Sequence, residues 1–116
     1  FDGRPDLFEG KTHPRKAVGH PNIYFDTLVH DTDSLKLMIE RQGSNQVIMG
    51  LDDPYPLGEM ESDAQSSYPG KLLDLAIERD LINQQEYDEI WEDNTLRWLF
   101  GDDEKAKKKL VRKILL

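Results

Sequence analysis

The chain has 116 residues, no cysteine and a formal net charge of −8. That is one domain's worth of sequence, and it excludes a disulfide framework, a thiolate metal site and a nucleic-acid-binding surface spread over the whole domain. Apolar residues make up 37% of the chain and charged residues 33%, so the core is real but modest, hiding about 65% of the unfolded surface. No apolar run approaches the roughly 20 residues that a bilayer span needs. The lack of cysteine fits a reducing, cytoplasmic compartment. Charge is uneven: residues 1–101 hold 20 acids and 9 bases, whereas 102–116 hold 3 acids and 6 bases.

In chain order, residues 1–21 carry Pro5, Pro14 and Pro21 among glycines and read as an irregular connection with one helical turn near Arg15–Val18. Ile23 to Val29 is β-branched and aromatic, a strand. Asp31 or Asp33 caps a helix running to Gln42, with Leu35, Met38 and Ile39 as its apolar stripe and Gly43 as its stop. Val47 to Leu51 is a second strand, buried on both faces. Strand, helix, strand predicts a β-α-β unit with parallel strands. Residues 53–69 form a long loop, and a helix over 70–79 presents Leu72, Leu73, Ala76 and Ile77. Asn83-Gln84-Gln85-Glu86 has the form of a capping box opening a further helix, with Tyr87, Ile90 and Trp91 inward. Asn94 is expected to interrupt that helix and cap a last turn ending at Gly101. Residues 102–116 form a basic amphipathic tail helix, with Ala106, Leu110, Val111, Ile114 and Leu115 on one face.

The densest chemistry lies where the second strand ends, at Asp52-Asp53 followed by Pro54-Tyr55-Pro56-Leu57-Gly58. In parallel β/α architectures ligands and metals gather at the carboxyl ends of strands. A carboxylate there is either a site residue or a turn cap, and from the residues alone either aspartate qualifies. Alternation along a strand lets only one of the pair face a given site. Two strands do not close a parallel sheet, so the chain is expected to be the closing part of something larger.

Gly50-Leu51-Asp52-Asp53-Pro54-Tyr55-Pro56-Leu57-Gly58-Glu59 resembles the signature that ends the last barrel strand in the aminocarboxymuconate-semialdehyde decarboxylase family, a branch of the metal-dependent amidohydrolase superfamily. Further segments agree in order. Arg4-Pro5-Asp6-Leu7 comes first. Tyr24-Phe25-Asp26-Thr27-Leu28-Val29-His30-Asp31 with Ser34-Leu35-Lys36-Leu37 is similar to strand and helix seven. Pro69-Gly70-Lys71-Leu72 resembles the start of helix eight, and Asp93-Asn94-Thr95-Leu96-Arg97-Trp98-Leu99 the closing helix.

The resemblance implies an α/β fold, the C-terminal fragment of an eightfold β/α (TIM) barrel holding its last two strands and terminal helices in residues 1–101, with 102–116 as a tail. It implies a metal-dependent decarboxylase of a small unsaturated or aromatic carboxylic acid. Asp52 falls on the strand-eight aspartate, as metal ligand and catalytic residue, and Tyr55 and Leu57 fall on the substrate pocket. A divalent metal, zinc, and a homodimer are implied. The alternatives are a hydrolase of the same superfamily and a catalytically silent fragment or interaction subunit. The family's metal-binding and catalytic histidines have no counterpart here, so the 116 residues alone are expected to be inactive. Leu51 and Asp53 depart from the family pattern, which has a hydroxyl residue and an aromatic there.

Other tempting residues have plainer readings. His13, His20 and His30 match no ligand spacing and are expected on loops. Glu59, Glu61 and Asp63 read as a solvated acidic loop. Trp91 and Trp98 are expected in the core. The basic tail is expected to be solvated or to pack on a partner subunit rather than on nucleic acid or a membrane.

Overall fold

A parallel ladder joins β1 (Phe25–Asp26) to β2 (Val47–Ile48), pairing Phe25 with Val47 and Asp26 with Ile48. The crossover between them is α2 (Thr32–Gln42), preceded by a short α1 (Pro14–Val18). A computed structural model describes residues 5–7, 9–52 and 68–115 of the chain. Beyond β2 it contains α3 (Lys71–Glu78), α4 (Gln84–Asp88), a π-helical stretch (Glu89–Asp93), α5 (Asn94–Phe100) and α6 (Glu104–Leu115). The described residues are therefore mostly helical around one parallel strand pair. Asp53, Tyr55, Leu57, Glu59, Glu61 and Asp63 lie outside the described residues.

Local chemistry sets the helix ends where the residues predict them. The Asp31 carboxylate accepts the Ser34 N–H at 2.7 Å and the Ser34 hydroxyl at 2.8 Å. The backbone N–H of Ser34 is the main reason the Asp31 carboxyl titrates below its ordinary range. Gly43 ends α2 at a φ of 87°, a left-handed value that glycine takes without strain. At α4 the capping box is complete: Glu86 N–H donates to Asn83 Oδ1, and Asn83 N–H donates back to Glu86 Oε2.

The core forms where α2, β2, α3 and the π stretch meet. Leu35, Ile39, Val47, Leu72, Leu73, Ala76, Ile82 and Ile90 are buried, with Met38, Ile77 and Tyr87 packed against them. Each large aliphatic side chain so buried contributes roughly 1.5–3 kcal/mol. Leu35 and Ile39 are one turn apart on α2, and Leu72, Leu73 and Ala76 share one face of α3, so the predicted apolar stripes are the ones used.

Both strands are shorter than the Ile23–Val29 and Val47–Leu51 runs predicted. Thr27 N–H still donates to the Ile48 carbonyl, but the Thr27 carbonyl is taken by Val29 N–H at 2.7 Å in a tight turn. Gly50 N–H therefore turns to the Thr27 hydroxyl at 3.2 Å instead of a ladder carbonyl. Met49 N–H leaves in another direction, to the Ile90 carbonyl. The helix itself makes that last bond available. In the π stretch Asn94 N–H bonds back five residues to the Glu89 carbonyl, a register shift that frees helical acceptors.

Two further expectations are corrected. Asn94 does not interrupt the helical run but lies inside it, fully buried. Trp91 and Trp98 are not core residues, at 43% and 55% exposed. Ile90 takes the inward position, and its neighbour Trp91 lies about 100° around the helix. The Trp91 ring stacks on Tyr87 and covers Gly70, where any Cβ would overlap the indole.

Candidate active site at the carboxyl end of the strands

Side chains rather than ladder bonds hold the carboxyl end of the strand pair. Thr27 is fully buried, and its hydroxyl sits 3.2 Å from Gly50 N and 3.3 Å from Gly50 O. Gly50 is required there, because a Cβ would lie 2.7 Å from the Asp26 Cβ. Asp26 is in turn anchored by accepting Leu28 N–H. The chain thus leaves β2 on a fixed heading, through Gly50 and half-buried Leu51 into Asp52.

Asp52 is exposed, with a left-handed φ of 55°. Aspartate tolerates that conformation better than most residues, yet it remains uncommon away from glycine and asparagine. Among the described residues nothing hydrogen-bonds or ion-pairs with its carboxylate. A turn-capping aspartate would spend its oxygens on nearby backbone N–H groups, as Asp31 and Asp26 do. No such bond to Asp52 is made by the described residues.

An exposed carboxylate just beyond the end of β2 at Ile48 fits one hard oxygen donor of a divalent metal site. It does not make a whole site, since the described residues contain no cluster of three or more metal-ligating side chains. The histidines do not complete it. His13 Nδ1 accepts Arg15 N–H and His20 Nδ1 accepts Asn22 N–H, so both act as local turn caps, and His30 is exposed.

At the start of α3 a phenol–carboxylate clamp secures the helix. Asp74 accepts the hydroxyls of Tyr68 and Tyr87, each at 2.7 Å. The bond to Asp74, followed by burial, pushes the Tyr87 phenol up to about 12. Ionising that phenol would place a second negative charge against Asp74.

At the opposite, amino end of the strands the polar side chains are fully committed. Asn94 donates to the Ser44 and Val47 carbonyls, each at 2.7 Å. Its own carbonyl oxygen accepts from Arg97, which also bonds the Tyr24 hydroxyl and the Asn45 carbonyl. Gln46 Nε2 donates to the His20 and Ile23 carbonyls. Gln46 and Arg97 line an open cleft of about 390 Å³ with Tyr24 and Asp102. The contributions of Thr27 and Asn94 were not legible in the sequence. The available signal was one polar residue in each otherwise apolar neighbourhood.

Comparison with known proteins agrees with the resemblance read from the motifs. Over 76 residues, 64% of this chain, it is 36% identical to a 2-amino-3-carboxymuconate-6-semialdehyde decarboxylase of Dictyostelium discoideum. Over 60 residues, 50% of this chain, it is 43% identical to a protein of the same name from Caenorhabditis elegans. The matched stretches amount to 19% and 14% of those proteins, so the chain spans under a fifth of the length of the curated relatives it matches. No protein-family model matches.

Proposed function

We propose that these residues form the closing β/α segment of a metal-dependent decarboxylase of the amidohydrolase superfamily, acting on a small unsaturated carboxylic acid. The observation that carries this reading is the similarity to two decarboxylases of one name, which agrees with the ordered motifs between Arg4 and Leu99. The parallel β-α-β unit supports it, because this is the unit from which such barrels are built. So does the exposed carboxylate of Asp52 at the carboxyl end of β2. In this reading Asp52 is one ligand of the ion, and Tyr55 and Leu57 line the substrate pocket. A bound zinc ion would supply Lewis acidity and a water acidic enough to act near neutral pH. The Thr27–Gly50 link holds the chain two residues before Asp52.

The test is metal content and carbon dioxide release by the full protein, given 2-amino-3-carboxymuconate-6-semialdehyde, against an Asp52→Asn variant. Asparagine keeps the left-handed turn and removes the charge. Metal affinity and turnover are both expected to fall, by roughly a hundredfold, the upper range for loss of a residue that merely orients a ligand. A variant with unchanged metal content and rate would remove Asp52 from the site. A metal-loaded wild-type protein that releases no carbon dioxide from this substrate would overturn the decarboxylase reading, and hydrolysis of an amide or ester analogue would reassign the chain to the superfamily's hydrolases. The 116-residue segment alone is expected to turn over nothing.

A further inference from the structure

The Thr27 side chain is fully buried among the described residues, and further chain can only cover it more. A hydroxyl taken out of water is costly unless it is bonded, and valine would fill the same space without one. The bonds that Thr27 makes therefore say what its hydroxyl serves. All of them reach the two residues that lead out of β2 toward Asp52. The oxygen accepts Gly50 N–H at 3.2 Å. Its single proton has two acceptors in reach, the Gly50 carbonyl and Met49 Sδ, each at 3.3 Å.

The backbone explains why a side chain is needed there. Beyond the Asp26–Ile48 pair, Thr27 N–H still donates to the Ile48 carbonyl. The Thr27 carbonyl, which would accept Gly50 N–H as the next rung, is turned to Val29 N–H. The hydroxyl takes over that rung. Gly50 can approach because it has no Cβ; one would lie 2.7 Å from the Asp26 Cβ. From another direction Met49 N–H is held by the Ile90 carbonyl at 3.0 Å. Among the described residues Gly50 is thus the last one bonded before Asp52. Two residues of chain reach at most about 7 Å. Without the hydroxyl the last anchor is Met49, and the unheld stretch up to Asp52 grows by one residue.

We propose that Thr27 is a positioning residue for the metal site: its hydroxyl, acting through Gly50, sets where the Asp52 carboxylate stands. This rests on the reading of Asp52 as a ligand of the ion. Thr27 itself touches neither ion nor substrate. Removing its hydroxyl leaves the Met49 anchor in place. The loss therefore loosens the ligand rather than deleting it, and belongs at the lower end of the roughly tenfold to hundredfold range for groups that orient a ligand.

The test is zinc affinity, read by titrating zinc into the metal-free full protein. The variants are Thr27→Val, Thr27→Ala, Thr27→Ser, Asp52→Asn, and Thr27→Val combined with Asp52→Asn. Circular dichroism at the titration temperature checks that each is folded. Thr27→Val keeps the shape and is expected to weaken zinc binding roughly tenfold. Thr27→Ala, which also lacks the hydroxyl, is expected to match it. Thr27→Ser restores the hydroxyl without the methyl and is expected to recover most of the affinity. A packing role predicts the reverse order, with valine best and alanine worst. In the double variant Thr27→Val is expected to add nothing to Asp52→Asn, because the group it positions no longer binds the ion as a carboxylate. Wild-type affinity in Thr27→Val, serine no better than valine, or full additivity with Asp52→Asn overturns the proposal and leaves the Asp52 reading standing. Normal zinc binding by Asp52→Asn overturns that reading and the proposal with it.

Discussion

The two ends of the strand pair use their polar groups differently. At the amino end Asn94, Arg97 and Gln46 spend their donors on backbone carbonyls and on the Tyr24 hydroxyl. At the carboxyl end the Thr27 hydroxyl meets Gly50 N–H and the Gly50 carbonyl, and the next polar side chain, Asp52, is exposed with no partner among the described residues. The difference separates support from opportunity. One end is where the helical layer is fastened to the strands. The other presents an exposed carboxylate that no other described residue bonds.

The comparison breaks if the amino end proves dispensable. Asn94→Ala strands the Ser44 and Val47 carbonyls, one in a buried bond, and takes a partner from Arg97. The expected cost is about 3 kcal/mol, read as a lower urea midpoint with an unchanged slope. A loss below about 0.5 kcal/mol, the level of an ordinary surface change, would show that the network fastens nothing. Thr27→Val keeps shape and removes the hydroxyl, leaving Gly50 N–H without its acceptor. The expected loss is about 1–2 kcal/mol in the same experiment. A Thr27 effect exceeding that of Asn94 would reverse the ranking of the two ends.

Alkaline titration sharpens the picture for the clamp at the start of α3. The Tyr87 phenol is held up to about 12 against an ordinary 10. The folded protein binds this proton more tightly than the unfolded one. Its contribution is therefore complete below pH 10 and is lost as pH climbs from 10 toward about 12. Phenolate absorbance should show one late-titrating tyrosine that vanishes in Tyr87→Phe, and that variant should lose less stability over the same window. The smallest stability effect belongs to Asp52→Asn, within about 0.5 kcal/mol, because its exposed side chain has no partner among the described residues. A large loss there would make Asp52 a structural cap and remove the contrast between the ends.

Much of this fold is legible residue by residue. The Asp31 cap, the Gly43 stop, the Asn83–Glu86 box and the apolar stripes of α2 and α3 all act within one turn of helix, so sequence spacing encodes them directly. The candidate site was legible only as a choice between two aspartates after a strand. The resemblance favours Asp52, which stays a proposal, and Asp53 lies outside the described residues. The tryptophans were misjudged because periodicity cannot say which flank of a helix finds a neighbour. Ile90 and Trp91 are adjacent in sequence, and the former alone meets the strand.

The sequence by itself determined the helix ends at Asp31, Gly43 and Asn83, the parallel β-α-β order and an acidic residue just beyond β2. Those features rest on contacts between residues a few positions apart, or on a motif carried whole. Tertiary structure decided the rest. Asn94 and Val47 are far apart in the chain yet joined by a 2.7 Å bond, as Thr27 and Gly50 are joined at 3.2 Å. A buried amide or hydroxyl takes whichever orphaned backbone group the fold brings to it, and no local pattern announces which one that will be.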